Sequence, residues 1–212
     1  MHSLEKLGAR SEVYKFLSCA YYPPQDELLK GDLPGPAKSA FDSLEQGLLA
    51  GEMARVESYL QSLRGPLELA IEHTRLFRGP VRAEAYPYES MYVDGEVLGP
   101  SAMDVARRYR EAGVDVSGDF KDLPDHVCAE LEFMHYLCAR EFEALQRADW
   151  EEAARWQLRG DSFLKDHLSR WIPQFADSVL QHATTPFYLS LARITREFIS
   201  QEVPTGCLET PP

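Results

Sequence analysis

Apolar residues recur at helical rather than strand spacing along most of the chain. Leu4, Leu7, Tyr14, Leu17 and Tyr21 are spaced by three, seven, three and four, which predicts an amphipathic helix from Leu4 to Tyr21, stopped by Pro23-Pro24. Further helices are expected over Pro36 to Ala50 and Glu52 to Leu63. Pro66, at a first-turn position, opens a helix over Leu67 to Phe77, closed by Arg78 and Gly79-Pro80. Arg82 to Pro100, rich in Pro, Tyr and Gly, reads as an ordered loop of about 20 residues, a length usually tied to function. Ser101 is the expected N-cap, with Asp104 at the third position, of a helix ended by Gly113. Val127, Leu131, Met134, Cys138, Phe142 and Leu145 make the cleanest seam of the sequence. Leu164, Leu168, Trp171 and Phe175 continue a helix begun at Trp150, with a break expected near Pro173. Phe187, Leu191, Ile194 and Phe198 form the last helix, and the tail from Glu202 to Pro212 has no period and is read as frayed.

Composition sharpens this to one fold class. With 26 Leu against 11 Val and 4 Ile, the apolar set favours helix, because unbranched side chains lose little rotamer freedom there. The expectation is an all-α bundle of about nine or ten helices forming one domain over residues 1–212. An N-terminal half ends near Gly113, a hinge-like linker spans Val114 to Lys121, and a C-terminal half runs over 122–201. Hydrophobic and charged fractions of 44% and 26% are globular averages, and no apolar run is long enough to span a membrane. Charges at Glu5, Lys6, Arg10, Glu12 and Lys15 interrupt the first stretch too often for a secretory signal, so a cytoplasmic location is expected.

A net charge of −12 would repel a phosphate backbone, which argues against nucleic-acid binding. Cys19, Cys128, Cys138 and Cys207 form no CxxC pair, and the six His are scattered, so neither a disulfide framework nor a metal centre is expected. No phosphate loop, GxSxG elbow or HExxH motif is present, so no catalytic residues are assigned and no cofactor is expected. Asp122-Leu123-Pro124-Asp125-His126 supplies a helix start: Asp122 to cap, Pro124 to preset the first turn, Asp125 to face the positive dipole end. His126 does not fit, since an imidazolium is disfavoured at a helix N-terminus. It could pair with Asp125 or with Glu130 one turn on, or contact a partner peptide.

These residues carry a resemblance. Asp122-Leu123-Pro124-Asp125-His126 followed by Glu130-Leu131-Glu132-Phe133-Met134 is similar to a signature of the TorD/DmsD/NarJ family of redox-enzyme maturation chaperones. Thr74-Arg75-Leu76-Phe77-Arg78-Gly79-Pro80 and Tyr86-Pro87-Tyr88-Glu89-Ser90-Met91-Tyr92 resemble two further elements of that family, in the same order over residues 5–200.

The resemblance implies a TorD-like helical fold and a non-enzymatic cytoplasmic chaperone. Such a protein binds the twin-arginine signal peptide and the apo catalytic subunit of a molybdopterin oxidoreductase, and assists cofactor insertion. It also implies a weak guanine-nucleotide interaction and a monomer or a dimer that exchanges halves at the linker. Asp125, His126, Pro124, Glu130, Tyr88, Glu89 and Tyr92 are the candidate peptide-binding residues. Surface ion pairs contribute only about 0–1 kcal/mol each, against about 1.5–3 kcal/mol for a buried apolar side chain, so the peptide groove is expected to be mainly apolar. Asp125, Glu89 and Glu130 would then select arginine. The tyrosines of the loop are expected to pack on the start of the Asp125 helix, joining the two motifs in one surface. Two rival readings are a nucleotide-binding or hydrolytic enzyme using Asp125 and His126 as acid and base, and a structural helical adaptor in which both residues only cap a helix.

Overall fold

The computed structural model describes residues 2–24, 28, 33–79, 82–114 and 122–203. Residues 115–121 of the expected hinge, Pro80, Cys207 and the tail beyond Val203 lie outside them.

Ten α-helical segments follow one another among the described residues, with no named strand. They are α1 (His2–Tyr21), α2 (Pro34–Ser43), α3 (Gly47–Ser62), α4 (Leu67–Phe77), α5 (Glu89–Val93) and α6 (Pro100–Glu111). After the 115–121 interval come α7 (Val127–Gln146), α8 (Trp150–Phe163), a π-helical turn (Leu164–Leu168), α9 (Ser169–His182) and α10 (Pro186–Glu202). The all-α class therefore holds. No helix among the described residues is long and apolar enough to cross a membrane.

α1 is the centre of the bundle. It packs on α7, α2 and α10, and buries Val13, Tyr14, Phe16, Leu17, Ala20 and Tyr21. Burial on nearly every side is why its single predicted stripe understates it. α7 in turn packs on α8, and α10 on α3 and α9, so the core is continuous from Leu7 to Ile199. On α7 the seam residues Leu131, Met134 and Cys138 are buried, while Phe142 and Leu145 are half-buried at its edge.

Four local expectations are corrected. The α2–α3 break falls at Leu44–Gln46, where Glu45 takes φ +61°, rather than at Gly51, which sits inside α3 with open space around it. A lone exposed glycine costs a helix only about 1 kcal/mol, too little to end it. Ser101 does not cap α6: Gly99 holds that position, Pro100 is the first helical residue, and Asp94 reaches across to accept both the N–H and the hydroxyl of Ser101 at 2.9 and 2.6 Å. The 82–100 segment is not wholly loop, because it contains α5. The expected break at Pro173 is absorbed upstream, by the π turn that directly precedes the Ser169 carbonyl its ring would crowd.

Candidate functional site

Pro87 to Ser90 lies alongside Asp125 to Val127 and is hydrogen-bonded to it. Tyr88 and His126 form an isolated antiparallel bridge. The Val127 N–H donates to Pro87 O at 2.8 Å, and the Glu89 N–H donates to Asp125 O at 3.0 Å. Side chains reinforce the junction. The Tyr88 hydroxyl donates to Asp122 Oδ1 at 2.7 Å, the Ser90 N–H donates to Asp125 Oδ2 at 3.0 Å, and the Tyr88 and His126 rings meet edge to face at 5.4 Å. The two motifs, more than thirty residues apart, thus form a single element.

His126 is itself the N-cap of α7, and its Nδ1 accepts the Cys128 N–H at 3.2 Å. An accepting Nδ1 must be unprotonated. Burial, aided by the nearby His73 and Arg78 charges and opposed by Asp122, pulls the His126 pKa down to about 4. A neutral imidazole is compatible with the positive helix end, so the conflict seen in the sequence disappears. The cap role expected of Asp122 is displaced by the same geometry: its Oδ1 holds the Leu123 N–H in the turn ahead, and the His126 N–H closes that turn on Leu123 O. Pro124 lies in this turn rather than in the first turn of α7. Asp125 serves α5 instead of α7.

Glu89, Asp125 and Glu130 are fully buried, so the acidic rim expected of them is not at the surface. Glu89 Oε2 faces His167 Nδ1 at 2.9 Å, and His167 Nε2 faces Asp104 Oδ2 at 3.1 Å. His167 thus bridges Glu89 of α5 and Asp104 of α6 through its two ring nitrogens. Glu130 Oε2 accepts the Trp171 Nε1–H at 3.1 Å, and Tyr92 stacks on the same indole at 5.7 Å. Burial, with Glu89 and Asp125 adding to it, pushes the Glu130 carboxyl well above the usual range. Asp104 is held below its usual range because Arg107 and Arg108 outweigh its partial burial.

Asp125 and His126 do not face one another as an acid–base pair; each is committed to a different backbone N–H. Among the described residues no three His, Cys, Asp or Glu side chains are grouped to hold a metal. Tyr88, Pro124, His126 and Tyr92 remain half-buried, and Asp122 keeps about a quarter of its side chain exposed. Sequence reasoning missed His167 and Trp171. Their signal was positional, a histidine four residues from both Phe163 and Trp171 on a buried face.

Comparison with known proteins follows the same lines. The family model described as nitrate reductase delta subunit matches residues 38–177. A chaperone protein TorD of Shewanella pealeana is 24% identical over 211 residues, 91% of this chain and 87% of that protein. One from Vibrio cholerae is 27% identical over 203 residues, covering 91% and 90%. The one from Vibrio parahaemolyticus is 31% identical over 134 residues, spanning 62% of this chain and only 61% of that relative. Among solved structures, a protein described as a redox enzyme maturation protein from Archaeoglobus fulgidus shares the fold. Its TM-score is 0.57 and its identity 21%, over 90% of this chain and 93% of the other.

Proposed function

The chain belongs to the nitrate reductase delta subunit family, and from that premise we propose that it is a non-enzymatic, cytoplasmic maturation chaperone. It binds the twin-arginine signal peptide and the apo catalytic subunit of a molybdopterin oxidoreductase, and keeps the subunit receptive until its cofactor is inserted. The observation that supports this reading is the joining of Pro87–Ser90 to Asp125–Val127. It presents the Tyr88 and His126 rings, Pro124 and a partly exposed Asp122 together, while Tyr92 of the same string stacks on Trp171. Aromatic rings offer apolar contact area and retain a polar handle for a peptide backbone. In this reading Asp122, about a quarter exposed, selects arginine. Asp125, Glu89 and Glu130 act as positioning residues that hold the two strings together.

A synthetic twin-arginine peptide titrated at low salt and at about 0.5 M salt tests the reading, since exposed ion pairs are screened there and apolar burial is not. Binding should survive the high salt. Tyr88→Ala should weaken it about tenfold, the equivalent of about 1.4 kcal/mol, and Asp122→Asn should reduce the preference for arginine over norleucine in the peptide. Affinity that is abolished by salt, or is unchanged in Tyr88→Ala, Asp122→Asn and His126→Asn together, would place the peptide elsewhere.

A further inference from the structure

The buried carboxyls of α5 and α7 pose a hydrogen-bonding problem that their positions alone do not solve. One oxygen of each is accounted for: Glu130 Oε2 takes the Trp171 indole N–H, and Glu89 Oε2 takes His167. Glu89 Oε1 and Glu130 Oε1 are buried and meet no donor. The same junction brings the two side chains together in the interior: the Glu89 N–H donates to Asp125 O at the lead-in to α7, and Glu130 lies in the first turn of that helix. Ionised carboxylates accept only, so two of them in contact would leave both inner oxygens unsatisfied and place like charges side by side. We propose that Glu89 and Glu130 carry one proton between their inner oxygens, and that this proton fastens α5 to α7.

Among the described residues, neither inner oxygen meets another donor. The lead-in to α7 contributes Asp125, whose Oδ2 already accepts from Ser90 and whose Oδ1 is itself unpartnered. From α6 come Asp104, bound to Arg107 and Arg108, and Tyr109, whose hydroxyl is donated to Pro124 O. The π turn contributes His167, with both ring nitrogens occupied by Glu89 and Asp104. α9 contributes Trp171, which has a single N–H. A proton shared by the two glutamates satisfies both orphaned oxygens and removes one of the buried charges. The direction of the Glu130 shift agrees, since burial and the neighbouring carboxylates favour its protonated form.

The consequence falls on α5. With five residues it is too short to be stable as an isolated helix, so its place depends on what its side chains hold. Deprotonation would leave Glu89 and Glu130 repelling each other inside the junction that joins the two motifs, and α5 would loosen from α7.

Infrared spectroscopy of the wild-type protein reads the proton directly. The carbonyl stretch of a protonated carboxylic acid should be present at neutral pH, should fade as the pH is raised, and should be missing from Glu130→Gln while persisting in Asp125→Asn. Its absence from the wild type at neutral pH, or its loss in Asp125→Asn but not in Glu130→Gln, overturns the proposal. Stability provides a second readout. Between the unfolded-state glutamate pKa of about 4.3 and the raised folded value, the unfolding constant of the wild type should grow up to about tenfold per pH unit relative to Glu130→Gln. Amide exchange at Ser90 should accelerate over the same range beyond its intrinsic rate in the wild type alone. Parallel profiles in the two proteins count against the latch.

Discussion

Both carboxylate oxygens of Glu72 accept the backbone N–H of Thr185, each at 3.1 Å. The two residues are 113 positions apart, and the same carboxylate takes the Thr184 hydroxyl at 2.9 Å. Glu72 thus closes the start of α10 from α4, while Arg75 takes the His182 carbonyl at the end of α9. Although burial works the other way, the hydrogen bonds from Thr185 and Thr184 hold the Glu72 pKa below its usual value. A lowered carboxyl pKa contributes stability above about pH 4.3, the unfolded value, and loses it as the pH falls through the folded value. Glu72→Ala should cost about 1.5–3 kcal/mol in urea denaturation at pH 7, because charge-assisted bonds to buried amides are lost. It should also flatten the acid limb of the stability profile.

His126 sets a second acid limb with a different cause. Its folded pKa of about 4 lies below the ordinary 6.5, so its contribution is complete above about pH 6.5 and is lost as the pH falls toward 4. His126→Asn should keep a capping side chain and remove this dependence, whereas His126→Ala should lose the cap as well, at about 0.5–2 kcal/mol. Thermal melts of the three proteins between about pH 4 and 7 distinguish the two effects. Equal slopes in wild type and His126→Asn would show that the imidazole does not titrate in the cap.

Asp125→Ala should loosen α5 without unfolding the bundle. The Ser90 N–H would be left buried and unpaired, a loss of about 1–3 kcal/mol. Hydrogen exchange should rise first at Ser90 and Leu98, whose N–H groups depend on Asp125 and on the Ser90 hydroxyl. Uniform acceleration along α7 instead would show that Asp125 serves that helix.

Gly79 is the position in the first motif least able to accept a side chain. Its φ is +58°, and a Cβ there would lie 1.8 Å from the Arg82 carbonyl oxygen. Gly79→Ala should destabilise by about 1–3 kcal/mol or more, and Gly51→Ala, in open space within α3, should be neutral or stabilising by up to about 1 kcal/mol. The pair of melting temperatures checks both signs in one experiment.

The helices were legible because their evidence is local: periodicity along α7, prolines between helices, and Gly113 at φ +76° just past α6. Ser101 misled because a good cap residue was outcompeted by Asp94, seven positions earlier and visible only once the chain turns back. At the site, the motif strings identified which residues matter but not how they are used. Glu89, Asp125 and Glu130 read as selectors of a cation, whereas each is committed inside the fold. His167 was illegible for the same reason: its partners Glu89 and Asp104 lie 78 and 63 residues away.

α8, the π turn and α9 form one uninterrupted rod from Trp150 to His182. A π turn takes up about one residue more than an α turn, and each residue of an α-helix advances the azimuth by about 100°. The turn at Leu164–Leu168 therefore works as a phase shifter between two halves of a single shaft. Ahead of it, Trp156 and Phe163 are aimed at Tyr136 and Phe133 on α7; behind it, Trp171 and Phe175 are aimed at Tyr92 on α5. Removing one residue here would leave a more regular rod whose far half is rotated out of alignment. Insertions and deletions at this turn should be far less tolerated than substitutions of its exposed Lys165.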